Sequence, residues 1–211
     1  ANIDAIKDII VDTPDIDLQN KIATFLTNYD DLIEINLKRM HVLEKIAKLV
    51  FDEWFVKYKF PGFKNKNFVE SERGKIPEKW NWNVLGDILT ELESGSRPKG
   101  GVGQIKEGIP SIGAENINGL GKYNYKKDKF VSEIFFNKMK RGIVKHKDVL
   151  LYKDGAKIGR KTMFRNDYPY AKCCVNEHAF ILRTQDDFYQ NYMYFWLDQF
   201  WMTEKIILLN T

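Results

Sequence analysis

The sequence predicts an α+β protein: a long coiled-coil-type helix joined to an irregular, mostly β domain that closes with a C-terminal helix. Three observations lead there. Apolar residues recur at steps of three and four from about Asp17 to Tyr58; the texture then changes to short apolar or alternating runs between glycine clusters; and a second helical pattern follows Asp186-Asp187. With 44% apolar and 14% aromatic residues in 211, the chain can bury a sizeable core. No run of about 20 uncharged apolar residues exists, which excludes a membrane span. Residues 1–11 carry Asp4, Lys7 and Asp8 among their apolar positions, unlike a signal peptide, so a cytoplasmic location is expected.

The first element, residues 1–14, is short and leads into the helix of residues 15–60. In that helix the apolar positions are Leu18, Ile22, Phe25, Tyr29 and Leu32, then, shifted by one, Ile33, Leu37, Met40, Leu43, Ala47, Val50, Trp54 and Tyr58. This is heptad-like spacing with one register slip. Pro14 precedes the helix, Asp15 and Asp17 suit the positive end of its dipole, and Pro61-Gly62 is expected to end it after Lys57 and Lys59. At 1.5 Å per residue such a helix spans about 60 Å, more than a small domain is wide. Its apolar stripe therefore calls for another helix. Burying a dozen such side chains is worth on the order of 20 kcal/mol gross.

A polar connection, residues 63–79, opens the third region, residues 61–211. Its expected strands are the runs Trp80 to Leu89, Lys129 to Val131, Val149 to Tyr152, Thr162 to Phe164 and Ala179 to Arg183. Asp186-Asp187 is expected to cap a helix from Phe188 to about Leu209, with Tyr192, Phe195, Trp196, Phe200 and Ile206 on its core side. Cys173 and Cys174, adjacent and thus on opposite faces of a strand, read as reduced thiols rather than a disulfide or a metal site.

The net charge of +4 is unevenly distributed. Between Lys122 and Lys161 thirteen Lys and Arg stand against four Asp and Glu. A basic stripe of this kind fits a polyanion partner, although a solvated lysine-rich surface gives the same count.

Three motifs approach known chemistry without reaching it. Gly155 to Thr162 has a phosphate loop's flavour, but its glycines are one residue too close and Arg160 separates Gly159 from Lys161, so Asp154-Gly155 reads as a hairpin turn. Asp167-Tyr168-Pro169-Tyr170 lacks the first proline of an amino-methyltransferase motif. Pro14, Asp15, Gln19 and Lys21 echo a nuclease motif, but they crowd into a helix start where capping explains Asp15. His41, His146 and His178 show no ligand spacing. Neither a catalytic constellation nor a metal site is expected.

The run Thr13 to Leu26, with Tyr29-Asp30-Asp31-Leu32-Ile33, resembles the start of the long helix in Type I restriction-modification specificity subunits. Their target recognition domains are resembled by Ile76-Pro77-Glu78-Lys79-Trp80, Leu85-Gly86-Asp87-Ile88, Ser94 to Pro98, Gly108 to Gly113 with Glu115-Asn116-Ile117, and Asp148 to Leu151 leading into Gly155 to Gly159. The resemblance implies a closing segment of a recognition domain in 1–14, a spacer helix in 15–60 and one target recognition domain in 61–211. The family alternates two of each, so the chain is expected to be a fragment or a half-subunit.

The same resemblance implies double-stranded DNA, methyltransferase subunits and a translocating nuclease subunit as partners. S-adenosylmethionine, ATP and Mg are then expected on those subunits, with no cofactor and no chemistry here. Candidate DNA contacts are the polar and basic loop residues Ser96, Arg97 and Lys99, then Lys153, Lys157, Arg160 and Lys161, and a third group of Lys172, Asn176 and Glu177. If the chain is a half-subunit, the stripe from Leu18 to Trp54 is expected to pair antiparallel with a second copy. A self-contained DNA-modifying enzyme and a coiled-coil adaptor without a DNA role are the rival readings.

Overall fold

The computed structural model describes residues 2–62 and 67–209; part of the predicted polar connection, residues 63–66, lies outside them. The chain divides into two compact units, Ala1–Val50 and Phe51–Thr211.

The first unit holds α1 (Ile3–Lys7) and most of α2 (Ile16–Phe51). The start of α2 is fixed by local chemistry: Asp15 Oδ1 accepts from the Leu18 amide at 2.9 Å, and the Gln19 side chain donates to the Pro14 carbonyl at 2.7 Å. These contacts satisfy groups that a helix end leaves open, and they account for the Pro14–Gln19 pattern without nuclease chemistry. No residue of α1 is buried, and the one buried residue of α2 is Phe51, which belongs to the second unit.

The helix ends earlier than Pro61-Gly62 suggests. After Phe51 comes a π-helical turn, Asp52–Val56, and Tyr58 then adopts a left-handed conformation with φ 57°. The wider turn lets both Phe51 and Phe55 reach Tyr192, with ring centroids 5.4 and 5.1 Å away, and Phe55 also meets Trp80 at 6.3 Å. Tertiary aromatic packing within the second unit thus overrides the helical continuation.

The second unit also contains β1 (Phe68–Val69), β2 (Ile76–Pro77), α3 (Leu85–Ile88), β3 (Leu89–Ser94), β4 (Ile109–Ile112), β5 (Phe130–Val131), α4 (Glu133–Lys138), β6 (Val149–Tyr152), β7 (Lys161–Met163), β8 (Cys174–Val175), β9 (Ala179–Thr184), α5 (Asp187–Leu197) and α6 (Phe200–Leu208). An antiparallel sheet has the order β3-β9-β6-β7, a three-stranded sheet the order β5-β4-β8, and β1 pairs with β2. Strand β6 reads as a continuous apolar run because both its faces are covered. Leu150 joins Ile112, Phe164, Val175 and Ile181, while Val149 and Leu151 join Leu182, Met193, Tyr194 and Leu197. Cys173 and Cys174 fall in different clusters, as opposite faces require, and both are buried free thiols.

Two expectations are corrected here. The run Trp80 to Leu89 is not a strand: it is coil followed by α3, and the strand begins at Leu89. Trp80 and Trp82 are engaged elsewhere, Trp80 stacked on Phe60 and Trp82 donating its indole N–H to Ser71 Oγ at 2.8 Å. The closing helix is two helices. Asp186 caps α5 as expected, but Gln199 is extended and resets the phase, so Met202 rather than Phe200 faces the core; Phe200 is 76% exposed.

Candidate nucleic-acid interface

The second unit brings together the glycine loop after β3, the β6–β7 hairpin and the Asn176–His178 turn. Strand β3 leads into Gly95, where an added Cβ would lie 1.7 Å from the Val175 carbonyl oxygen. Only a residue without a side chain permits this crossing of the loop over Val175 and Asn176. Ser94 Oγ reinforces it by donating to the Glu177 carbonyl at 2.9 Å. Arg97, just beyond, pairs with Glu177 at 3.0 Å.

The β6–β7 connection is the hairpin predicted from Asp154-Gly155: Leu151 stands opposite Lys161, and Gly155 and Gly159 take positive φ of 68° and 82°. It is docked to the same place. The Lys153 amide donates to the His178 carbonyl at 3.0 Å, and the His178 ring meets Asp154 at 2.8 Å on one side and Glu177 at 3.2 Å on the other. Arg97, Glu177, His178 and Asp154 therefore form one chain of contacts joining the glycine loop to the hairpin. The Tyr152 hydroxyl is held above its ordinary range, by burial first and then by the carboxylates of Glu115 and Asp154. Among these side chains Glu177 Oε2 is buried with no hydrogen-bond partner, an acceptor left open.

The predicted residues differ in exposure and in what they touch. Arg97, Lys99, Lys157 and Lys172 are exposed, and Ser96, Lys153 and Glu177 are half-buried, with the Lys153 ammonium 4.6 Å from the Phe180 ring centre. Arg160 turns inward and donates to the carbonyls of Ala114 and Ile117 at 3.2 and 3.4 Å. Lys161 is only 5% exposed, its ammonium on Thr203 Oγ1 at 2.8 Å and 3.6 Å from Asp198. Asn176 is also buried, its side-chain oxygen accepting from the His178 amide at 3.0 Å. These three brace the turns from behind.

Sequence reasoning missed Asp154 and His178. The signal was present as Asp154-Gly155 and Glu177-His178, but nothing in the spacing brings residues 24 apart together. The basic stretch is also less free than its count: Lys129, Lys145, Lys147 and Lys161 each face a carboxylate. Tyr170, which ends the Asp167 to Tyr170 run, belongs to a polar cluster in which the hydroxyls of Tyr170 and Tyr123 donate to Asp128, which also accepts from Asn116. Those hydrogen bonds make Asp128 the centre of a scaffold. Among the described residues no group of three or more His, Cys, Asp or Glu could hold a metal, and no helix is long and apolar enough to cross a membrane.

No family model matches the chain. Over 179 residues it is 31% identical to the MjaIX Type I restriction enzyme specificity subunit of Methanocaldococcus jannaschii, a match covering 83% of this chain and 40% of that protein. The chain is homologous to part of a Type I restriction enzyme specificity subunit. The MjaVIII specificity subunit of the same organism is 29% identical over 155 residues, covering 74% of this chain and 35% of that protein. This specificity-subunit homologue thus spans well under half the length of the curated relatives it matches. In fold it is similar to the HsdS subunit from Thermoanaerobacter tengcongensis, at 15% identity and a TM-score of 0.48 over 89% of this chain and 40% of that one.

Proposed function

We propose that the chain reads DNA sequence for a Type I restriction-modification system and performs no chemistry itself. The observation that carries this reading is the convergence of the glycine loop, the β6–β7 hairpin and the Asn176–His178 turn on one cluster. Arg97, Lys99, Lys153 and Lys157 supply cationic donors at its rim, and Glu177 supplies an unsatisfied acceptor inside it. Arginine and lysine suit phosphates and guanine edges, and a carboxylate suits the cytosine amino group. Arg97 bound to Glu177 is poised for exchange: DNA that offers Arg97 a guanine or phosphate releases the carboxylate to accept from a base. The names of the relatives support the assignment to a specificity role.

In this reading the methylating and nuclease chemistry, with S-adenosylmethionine, ATP and Mg, resides on partner subunits that the chain directs to its site. Helix α2 is a spacer whose apolar face is covered by another helix, that of a second copy if the chain is a half-subunit.

Fluorescence anisotropy with labelled duplex DNA, titrated over a range of salt, tests the proposal. Wild-type binding should weaken steeply with salt. Arg97→Glu with Lys157→Glu should lower affinity by several fold or more and flatten the salt slope by about two, since each phosphate that a cation neutralises adds close to one to the slope. Unchanged affinity and slope would exclude this surface. Methyl transfer to DNA by the purified chain alone would overturn the non-catalytic part of the reading, whereas transfer only after adding a cognate methyltransferase subunit would support it.

A further inference from the structure

The Asn176–His178 turn is held from three sides. Ser94 of β3 donates to the Glu177 carbonyl at 2.9 Å, the Asn176 amide donates to the Ile112 carbonyl of β4 at 3.1 Å, and the His178 carbonyl accepts from the Lys153 amide at 3.0 Å. A backbone fixed in this way aims the side chain that leaves it. That side chain is Glu177, 37% exposed, and Arg97, 40% exposed, reaches it from the glycine loop with Nη2 3.0 Å from Oε1. The His178 ring lies 3.2 Å from the same oxygen and 2.8 Å from Asp154.

Both charged partners have hydrogen-bonding capacity left over. A carboxylate has about four acceptor sites and a guanidinium about five N–H donors. Arg97 and His178 both use Oε1 of Glu177, and Oε2 is buried with no partner. A phosphate drawn to Arg97 would bring its negative oxygens against Glu177, whereas a base edge that offers a donor beside an acceptor satisfies both charges at once. Resting on the reading of the chain as a DNA reader, we propose that Arg97 and Glu177 act as one unit that reads a single G·C base pair through the major groove. Arg97 donates to O6 and N7 of the guanine, and Glu177 accepts from the N4 amino group of the cytosine paired with it.

Spacing matches as well as sign. In a G·C pair N4 donates to O6, so the donor and the acceptor sit about 2.9 Å apart. Arg97 and Glu177 stand 3.0 Å apart and present the complementary order, so the ion pair can be exchanged for two contacts on one base pair with little movement of either side chain. An A·T pair also sets a donor beside an acceptor, but adenine N7 repels the second carboxylate oxygen, and the thymine methyl stands beside O4 where a second guanidinium donor would go. Only guanine offers the arginine fork two adjacent acceptors. His178 is a positioning residue: it holds the carboxylate as Arg97 turns to the guanine, and Asp154 holds the ring.

Selection by the full chain from a duplex library with a randomised core tests the unit. The wild-type chain should enrich a motif with one position held as G·C, preferred about tenfold or more over the other pairs. Glu177→Gln should admit adenine in place of the cytosine there, because a glutamine amide suits adenine N6 and N7. Arg97→Ala should erase the preference at the same position, and the double variant should relax no further position. Lys157→Ala should lower affinity across all sequences and leave the motif as it is. His178→Ala should loosen the cytosine preference at this position alone, and His178→Gln, which can still donate to the carboxylate, should restore it.

Base analogues make the same test without altering the protein. On a duplex carrying the enriched motif, 7-deazaguanine at this position lacks the N7 acceptor and should weaken wild-type binding several fold while leaving the Arg97→Ala chain unaffected. Inosine differs from guanine only in the minor groove and should bind as guanine does. Relaxation at two different positions in the Arg97 and Glu177 variants would overturn the single unit. A motif that neither variant changes would reduce the pair to a surface ion pair and overturn the proposal. Salt-dependent binding that enriches no sequence would overturn base reading by this pair and spare DNA binding, whereas a chain that holds no duplex at any salt would overturn the functional reading with it.

Discussion

The two units are made of the same kinds of residues and solve opposite problems. Residues 16–50 form one unbroken helix in which Leu, Ile, Phe and Met are largely exposed, so its order in isolation rests on backbone hydrogen bonds and local pairs. From Phe51 onward the elements are short, many of two to six residues, yet Val149, Leu150, Ile181 and Tyr194 are fully buried. Regular secondary structure is therefore a poor guide to self-sufficiency. The irregular unit carries its own core, and the regular one buries no core residue of its own.

The largest expected effect tests the self-sufficient unit at Arg183. Its guanidinium bonds Asp148 through two nitrogens at 2.7 Å, Glu93 at 2.6 Å, the Ile143 carbonyl at 2.8 Å, and Glu91. Burial raises the Asp148 pKa and Arg183 opposes that rise. Arg183→Met leaves a carboxylate that is 2% exposed without its cation, and should cost about 3–5 kcal/mol in the unfolding of this unit. The sign with pH follows. Without the arginine the folded-state pKa of Asp148 rises further above its unfolded value, so the variant should recover stability as pH falls and lose it as pH rises through that value. Thermal melts between pH 4 and 8 would show it; a variant that melts like the wild type throughout would mean that the cluster is not a buried charge network.

How much of this was legible in sequence depended on the range of the causes. Strand β6, the Asp154-Gly155 hairpin, the Asp186 cap and the start of α2 follow from neighbours within a few positions. The early end of α2 does not, because the π-helical turn is fixed by Tyr192 and Trp80, far along the chain. The break at Gln199 was hidden because Tyr192 to Trp201 is apolar enough to read as one helix in either phase. For the candidate site, residue types were readable and pairing was not. Lys161 and Arg160 look like surface cations until Thr203, Asp198 and the carbonyls of Ala114 and Ile117 claim them, and His178 has no meaning without Asp154. The apolar stripe of α2 is an intermediate case: its spacing was visible, but where the helix ends was not.

A smaller effect should follow at Gly95, where the core and the candidate surface meet. The alanine methyl in Gly95→Ala would strike main-chain atoms of Val175 and Asn176, which cannot rotate away as a side chain can. The loop must lift, at a cost of about 1–3 kcal/mol by analogy with overpacking. Since the loop carries Ser96, Arg97 and Lys99, DNA affinity should fall several fold while association through α2 is untouched. A variant with normal stability and normal DNA binding would place the loop outside the interface.

The smallest expected effect sharpens the contrast within α2 itself. Glu34 and Lys38 form an ion pair at 2.5 Å with side chains 62% and 71% exposed, outside the apolar stripe. Exposed pairs four residues apart on a helix contribute only about 0.3–0.5 kcal/mol, because water screens the attraction and two long side chains lose freedom in making it. Lys38→Ala also substitutes the best helix former, which offsets part of that loss. Sedimentation, helical content and DNA affinity should all stay within error of wild type. One residue away on the same helix but within the apolar stripe, Leu37→Glu is expected to disrupt pairing with another helix at least tenfold. If Lys38→Ala weakened association as strongly, the paired face of α2 would include its charged side, and the apolar stripe would not be what holds the partner helix.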